Sequence, residues 1–100
     1  GLLTIWKVDA QGKDGQSTHH VVRIGMNKNG DRAPWLERLG DKVMAMESST
    51  SVAMKDWQQL ARDNKQRLQE LLHRELNYSG IINEESSYSA VPLAVIVLEE

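Results

Sequence analysis

Hydrophobic and polar residues alternate near the start of the chain in the manner of two β-strands. Residues 2–8 (LLTIWKV) are rich in β-branched and aromatic side chains, and residues 19–26 (HHVVRIGM) place Val22, Ile24 and Met26 on one face. The residues between these two runs are polar. The pattern predicts an antiparallel hairpin whose loop of about ten residues is longer than the two to five residues typical of hairpins.

Apolar residues at intervals of three and four predict two helices after the hairpin. The first covers residues 34–47 and the second covers residues 51–77. The second helix has the longer unbroken period, and its apolar side consists of Met54, Trp57, Leu60, Ala61, Leu68, Leu71, Leu72 and Leu76.

A helix-ending signal and a third strand follow the second helix. Gly80 occupies the position of a left-handed C-terminal cap, from which one of the next two isoleucines would pack back on Leu76. In residues 91–98 (VPLAVIVL) both alternating sets are apolar, which is typical of a strand buried on both faces. Pro92 is compatible with the first residues of that strand or with a sheet edge.

The order of elements, β-β-α-α-β, predicts an α+β fold with a single domain over residues 1–100. Its simplest form is a small antiparallel or mixed three-stranded sheet with a two-helix hairpin on one face. The second helix would be on the order of 40 Å long, whereas a domain of this size has a radius of gyration of about 13 Å. The excess apolar stripe predicts that a second copy of the chain, or another protein, covers it. The alternative is a shorter or bent helix that the chain covers by itself.

The predicted contact surface combines the second helix with the first strand. Leu68, Leu71 and Leu72 belong to the stripe that the small sheet would leave uncovered. Trp6 would anchor an interface if it were exposed, because Trp is enriched at binding hot spots. Asn64 interrupts the stripe, and a lone Asn in a helical seam fixes register and partner number. The alternative places Asn64 at the wet margin of the stripe.

Composition and charge are those of an ordinary globular chain. Hydrophobic residues make up 40% and charged residues 26%, the net charge is -2, and cysteine is absent. The absence of cysteine makes a reducing cytoplasm the simpler expectation, and no apolar run reaches the roughly 18 residues of a membrane span, so we expect a cytoplasmic protein without membrane contact. The small net charge supplies no long-range attraction to a phosphate backbone. Arg23, Lys28 and Arg32, on the second strand and the loop after it, form the nucleic-acid alternative, in which the chain is an accessory or regulatory protein.

The sequence lacks a set of residues that would perform a reaction. His19 and His20 are neighbours in a strand and point to opposite faces, so they cannot easily bind one metal ion. Ser48, Ser49 and Ser51 have no base near them and are explained as helix caps. We therefore expect no enzyme activity, no cofactor and no metal site. The resulting hypothesis is a non-enzymatic, regulatory protein-protein interaction module that forms a homodimer through the second helix or a sheet edge.

Overall fold

The computed structural model describes residues 1–38 and 63–97, which form a three-stranded sheet with helices. The strands are β1 (Leu2–Gln11), β2 (Ser17–Met26) and β3 (Ser87–Val97), in the order β2-β1-β3 with both pairings antiparallel. The helix α1 (Lys65–Tyr78) precedes β3, and residues 34–38 are also helical. The predicted α+β class is confirmed, and the sheet is antiparallel rather than mixed.

The hairpin of β1 and β2 is longer than the hydrophobic pattern predicts. Its register continues without a shift to Gln11 opposite Ser17, so the loop consists of residues 12–16. Gly15 has a φ of 82° and donates its N–H to the Gly12 carbonyl at 3.0 Å, which closes the turn. The predicted strands did not include the residue pairs nearest the turn, because the residues there are polar and show no hydrophobic alternation.

β1 is the central strand and is buried on both faces. The face covered by α1 is called the inner face, and the opposite one is the outer face. Leu3 and Ile5 are buried on the outer face together with Ile96 of β3. Trp6 and Val8 lie on the inner face, where they join a cluster with the four buried residues of α1: Leu68, Leu71, Leu72 and Leu76.

β3 is an edge strand, which differs from the predicted strand buried on both faces. Val95 and Ile96 are buried, but the exposed fractions of Val91 and Leu93 are 58% and 53%. The prediction is therefore right only for the last part of the strand. The reason is the position of the covering segments, because the backbone of α1 comes closest to β2 and residues 33–37 pack on Gly25 of β2, at the side of the sheet away from β3.

The helical residues 34–38 contact the outer face of the sheet. Gly25 stands opposite Leu3 and so shares its outer face, and a Cβ added at Gly25 would lie 2.5 Å from Leu36 Cβ. The N–H of Ala33 donates to the Gly25 carbonyl at 2.7 Å, which holds the segment against β2. This placement differs from a hairpin with both helices on one face, because α1 covers the inner face.

α1 ends as predicted. Gly80 has a φ of 77°, the N–H of Ile81 donates to the Leu76 carbonyl at 3.0 Å, and Ile81 packs against the cluster that contains Leu76. Residues 39–47 of the first predicted helix and residues 51–62 of the second lie outside the described residues. The two predicted helices therefore do not share one face in their described parts, and their connection as a hairpin stays a prediction.

Candidate functional site

Four of the five residues predicted for the contact surface lie in the core of this chain. The exposed fractions of Leu68, Leu71 and Leu72 are 1%, 5% and 2%, and that of Trp6 is 9%. Asn64 is half-buried directly before α1, and its side chain makes no capping hydrogen bond. The leucines cover the inner face of their own sheet, so an exposed contact surface among the described residues has to lie elsewhere.

A buried chain of hydrogen bonds fixes Trp6 in the core. Trp6 Nε1 donates to Thr4 Oγ1 at 2.8 Å, and Thr4 Oγ1 donates to the Ile24 carbonyl at 3.0 Å. Thr4 is fully buried. Because the indole N–H and the hydroxyl both have partners, burying them carries no cost of an unsatisfied polar group. The sequence analysis missed Thr4, since a single Thr in a strand gives no signal of burial.

The outer edge of β2 is open from Ser17 to Val21. The Gly25 carbonyl accepts its hydrogen bond from Ala33 on the side away from β1. Backbone groups alternate between the two sides of a strand, and the register of β1 and β2 has no shift. The N–H and C=O groups of Val21 and His19 therefore also face away from β1. Within residues 1–38 and 63–97, no strand pairs with this part of the edge.

This open edge lacks the features that protect exposed strand edges in many proteins. Residues 17–22 (STHHVV) include no Asp, Glu, Lys, Arg or Pro, whereas Lys and Pro are common devices at protected edges. The exposed fraction of the Val21 side chain is 47%. A strand that paired with this edge would therefore meet both backbone hydrogen-bonding groups and an apolar side chain.

β3 forms the opposite edge of the sheet, and this edge is interrupted. Pro92 stands opposite Trp6. The backbone groups of Trp6 point toward β2, so the nitrogen of Pro92 faces outward, where it offers no N–H. The register also shifts between Ile5 and Trp6, which marks a bulge that inserts Leu93. A proline and a bulge both hinder pairing with a further strand, so β2 is the edge better suited to it.

Two exposed valines lie in one row on the outer face. Lys7 of β1 stands opposite Val21 of β2 on one side and Val91 of β3 on the other. Opposed side chains in a sheet are about 5 Å apart, and the Lys7 stem can lie along both valines. We call Val21, Lys7 and Val91 the outer-face row. The sequence analysis assigned both valines to strands and Val91 to the core, and gave no reason to expect them on one surface.

A polar pair adjoins the outer-face row toward the hairpin loop. His19 Nδ1 is hydrogen-bonded to Asp9 Oδ1, and this bond lowers the pKa of Asp9 below its ordinary value of 3.8. Ser89 stands opposite Asp9 on its other side, so the carboxylate lies between the serine and the histidine. A nucleophilic triad needs the histidine between the serine and the carboxylate. This arrangement does not supply one.

Arg32 covers the other end of the β2 edge. Its Nε and Nη2 atoms donate to the two carboxylate oxygens of Glu37 at 2.9 and 3.0 Å, and Nη2 lies 3.0 Å from Glu75 Oε2. The Glu75 contact has the distance of an ion pair without the angle of a hydrogen bond. The hydrogen bonds to Glu37, followed by the nearby carboxylate charges, raise the pKa of Arg32. Arg32 thereby connects the helical residues 34–38 with α1 across the edge of the sheet.

The residues of the nucleic-acid alternative occupy different surroundings. Two carboxylates compensate the charge of Arg32, so this side chain offers little net attraction to a phosphate. Arg23 is half-buried and lines a groove of about 400 Å³ together with Arg38 and Glu75. Lys28 is exposed in the turn after β2. The described residues therefore give no basic stripe free of acids, and the nucleic-acid alternative stays a prediction.

Neither a metal site nor a recognised family identifies a function for this α+β chain. In the described ranges, no three His, Asp or Glu side chains are grouped so that they could hold a metal ion. No helix in those ranges has the length and hydropathy that crossing a membrane requires. Comparisons with protein-family models, curated proteins and solved structures found no significant match to this chain. The function has to be argued from the surface.

Proposed function

We propose that the chain is a non-enzymatic protein-interaction module that pairs with a second copy of itself along the outer edge of β2. The observation that carries this proposal is the open edge from Ser17 to Val21, whose backbone groups face outward. An antiparallel contact between two β2 strands would join two sheets of three strands into one sheet of six.

Charge supports a second copy as the partner. A two-fold axis brings the same strand against itself, so a charge on the strand would meet a like charge nearby. Residues 17–22 carry no Asp, Glu, Lys or Arg, and self-pairing therefore brings no permanent like charges together. Val21 adds apolar surface beside the new backbone hydrogen bonds, at the end of the outer-face row.

The length of the contact is limited at one end. Met26 forms a bridge with Arg32, and the N–H of Ala33 occupies the Gly25 carbonyl. Pairing can therefore extend only over the part of β2 before Gly25. Such a contact is small compared with the roughly 1,200–2,000 Å² of a stable interface, so we expect association that depends on protein concentration.

Analytical ultracentrifugation over a range of concentrations tests the proposal. Val21→Lys places a charge on the edge, and Val21→Pro removes the outward N–H in the way that Pro92 does on β3. Both variants should weaken the dimer at least tenfold while preserving the hairpin. Val91→Lys is the matched control, because Val91 is 58% exposed and also stands opposite Lys7, but lies on β3 at the other edge of the sheet.

A wild-type chain that remains monomeric at all concentrations would overturn the proposal. So would a dimer that Val21→Lys and Val91→Lys weaken equally, since the effect would then come from net charge. A monomer that binds duplex DNA at low salt, and loses this binding when Arg23, Lys28 and Arg32 are changed together to Gln, would favour the nucleic-acid alternative.

A further inference from the structure

An apolar cleft lies between α1 and β3, on the inner face and beside the edge opposite to the open β2 edge. Its walls include Trp6 and Leu68 together with Ala90, Pro92 and Val95 of β3, and its volume is about 270 Å³. The proposed dimer contact is at the other edge of the sheet. The cleft can therefore be tested independently of the oligomeric state.

The cleft results from the position of α1 and from the small side chains beneath it. Among the described elements, the backbone of α1 comes closest to β2. On the inner face, Trp6 stands opposite Val22 of β2 and Pro92 of β3, Thr4 opposite Ile24 and the smaller Val95, and Val8 opposite His20 and the smaller Ala90. Among the described residues, nothing fills the space over this part of β3.

Among the described residues, the lining of the cleft is mostly apolar. Thr4 Oγ1 is the polar atom at its base, and it already accepts from Trp6 Nε1 and donates to the Ile24 carbonyl. A water molecule needs two to four polar partners to be held in a cavity, and apolar cavities of about 150 Å³ stay dry and bind benzene. A space of this size is large enough for an apolar group of roughly eight carbon atoms.

Of the described residues that line this cleft, one is charged. Lys65, in the first turn of α1, is exposed and is the only charged residue among the described residues of its wall. The exposed Gln69 lies one turn further along the helix on the same side. The combination of an apolar interior with a cation at the mouth matches a ligand that has an apolar body and one negative end.

We propose that this cleft binds a small amphiphilic carboxylate. Its alkyl or aryl part lies against Trp6 and Leu68, and its carboxylate reaches the ammonium group of Lys65. The contact with Lys65 is exposed to solvent and contributes a small part of the affinity, whereas burial of the apolar part contributes most of it.

Titration with octanoate, followed by NMR, tests this assignment. The Trp6 indole N–H and the methyl groups of Leu68 and Val95 should shift in a saturable manner, with nuclear Overhauser contacts between octanoate and the Trp6 ring. Octylammonium has the same chain with the opposite charge and should bind more weakly. Lys65→Met should weaken octanoate binding about two- to fivefold, the range for one exposed charge pair. Lys13→Met, a surface lysine near the hairpin loop, should leave it unchanged.

Filling the cleft gives the second test. Ala90→Leu should reduce octanoate affinity at least tenfold while the circular dichroism spectrum remains that of the wild type. A folded Ala90→Leu variant with unchanged affinity would overturn the proposal. The proposal would also be overturned if octanoate shifted none of the Trp6, Leu68 and Val95 resonances of the wild-type chain. This result does not depend on how any variant folds. Equal affinities for octanoate and octylammonium would refute the role of Lys65.

Discussion

Substitution of Gly25 by Ala is the sharpest test of how the outer face is packed. An added Cβ would lie 2.5 Å from the Ala33 carbonyl oxygen, 2.5 Å from Leu36 Cβ and 3.3 Å from the Glu37 nitrogen. Attractive contacts between carbon atoms require about 3.5–4.0 Å. Two of the three neighbours are backbone atoms, so rotation of a side chain cannot relieve the clash.

The expected loss of stability in Gly25→Ala follows from the contacts that residues 33–37 would have to give up. Overpacking of this kind costs about 1–3 kcal/mol. Displacing residues 33–37 also stretches the hydrogen bond from the Ala33 N–H to the Gly25 carbonyl, which is 2.7 Å long and contributes about 1 kcal/mol. The reduced freedom of the unfolded chain offsets about 0.4–1 kcal/mol. The expected net loss is about 2 kcal/mol, or a fall in Tm of about 8–16 °C for a chain of this length.

Urea and thermal denaturation, monitored by circular dichroism, measure this loss. Gly12→Ala is the matched control, because its Cβ would meet only a side-chain oxygen of Asp14, at 3.1 Å. We expect Gly12→Ala to remain within about 0.5 kcal/mol of the wild type. If Gly25→Ala were equally neutral, the close contact of residues 33–37 with β2 would be refuted.

Three further predictions concern the core and the polar end of the sheet. Thr4→Val leaves the Trp6 indole N–H without its acceptor and should lower the free energy of unfolding by about 1–3 kcal/mol. Thr4→Ser keeps the hydroxyl and should cost clearly less. Equal urea midpoints for the two variants would contradict the buried hydrogen bonds from Trp6 to Thr4 and from Thr4 to Ile24. Leu72→Ala should cost about 2–5 kcal/mol at every protein concentration, because Leu72 lies in the core of its own chain; a loss that grows on dilution would indicate an interface instead. The pKa of Asp9, followed by carboxyl ¹³C NMR, should lie below 3.8 and rise toward this value in His19→Ala. Since the folded state favours the ionised carboxylate, its stabilisation is present above pH 3.8 and is lost as the pH falls through the lower pKa of the folded state; an unchanged titration in His19→Ala would refute this cause.

Local patterns of the sequence were enough to predict the elements of this fold. Alternation identified β1 and β2, a continuous apolar run identified β3 from residue 91 but not its start at Ser87, and the spacing of the leucines identified α1 together with its end at Gly80. The predicted strands stopped short of the turn, because the last residues of β1 and the first residues of β2 are polar and are held by pairing across the hairpin. Pairing energy of this kind comes from the partner strand and is invisible in either strand alone.

Strand order could not be predicted from the same patterns, and the candidate site depends on it. An apolar run such as residues 91–98 reads as doubly buried, yet it lies at an edge where Val91 is exposed. Trp6 was expected to anchor an interface if it were exposed, whereas its packing against α1 and its hydrogen bond to Thr4 place it inside. Pro92 was the usable signal, since it is compatible with an edge strand. Pro92 indicated the interrupted edge at β3, whereas no local feature of the sequence of β2 showed that this strand forms the open edge.

The central position of β1 has a consequence for biosynthesis. β1 pairs with β2 after a short loop, but 60 residues separate Met26 from Ser87, where its other partner begins. A ribosome therefore releases the hairpin well before β3 exists, and closing so long a connection is slow compared with forming a local turn. During this interval the nascent hairpin exposes the second edge of β1 with its apolar residues, and an unpaired edge of this kind promotes aggregation until β3 pairs with it.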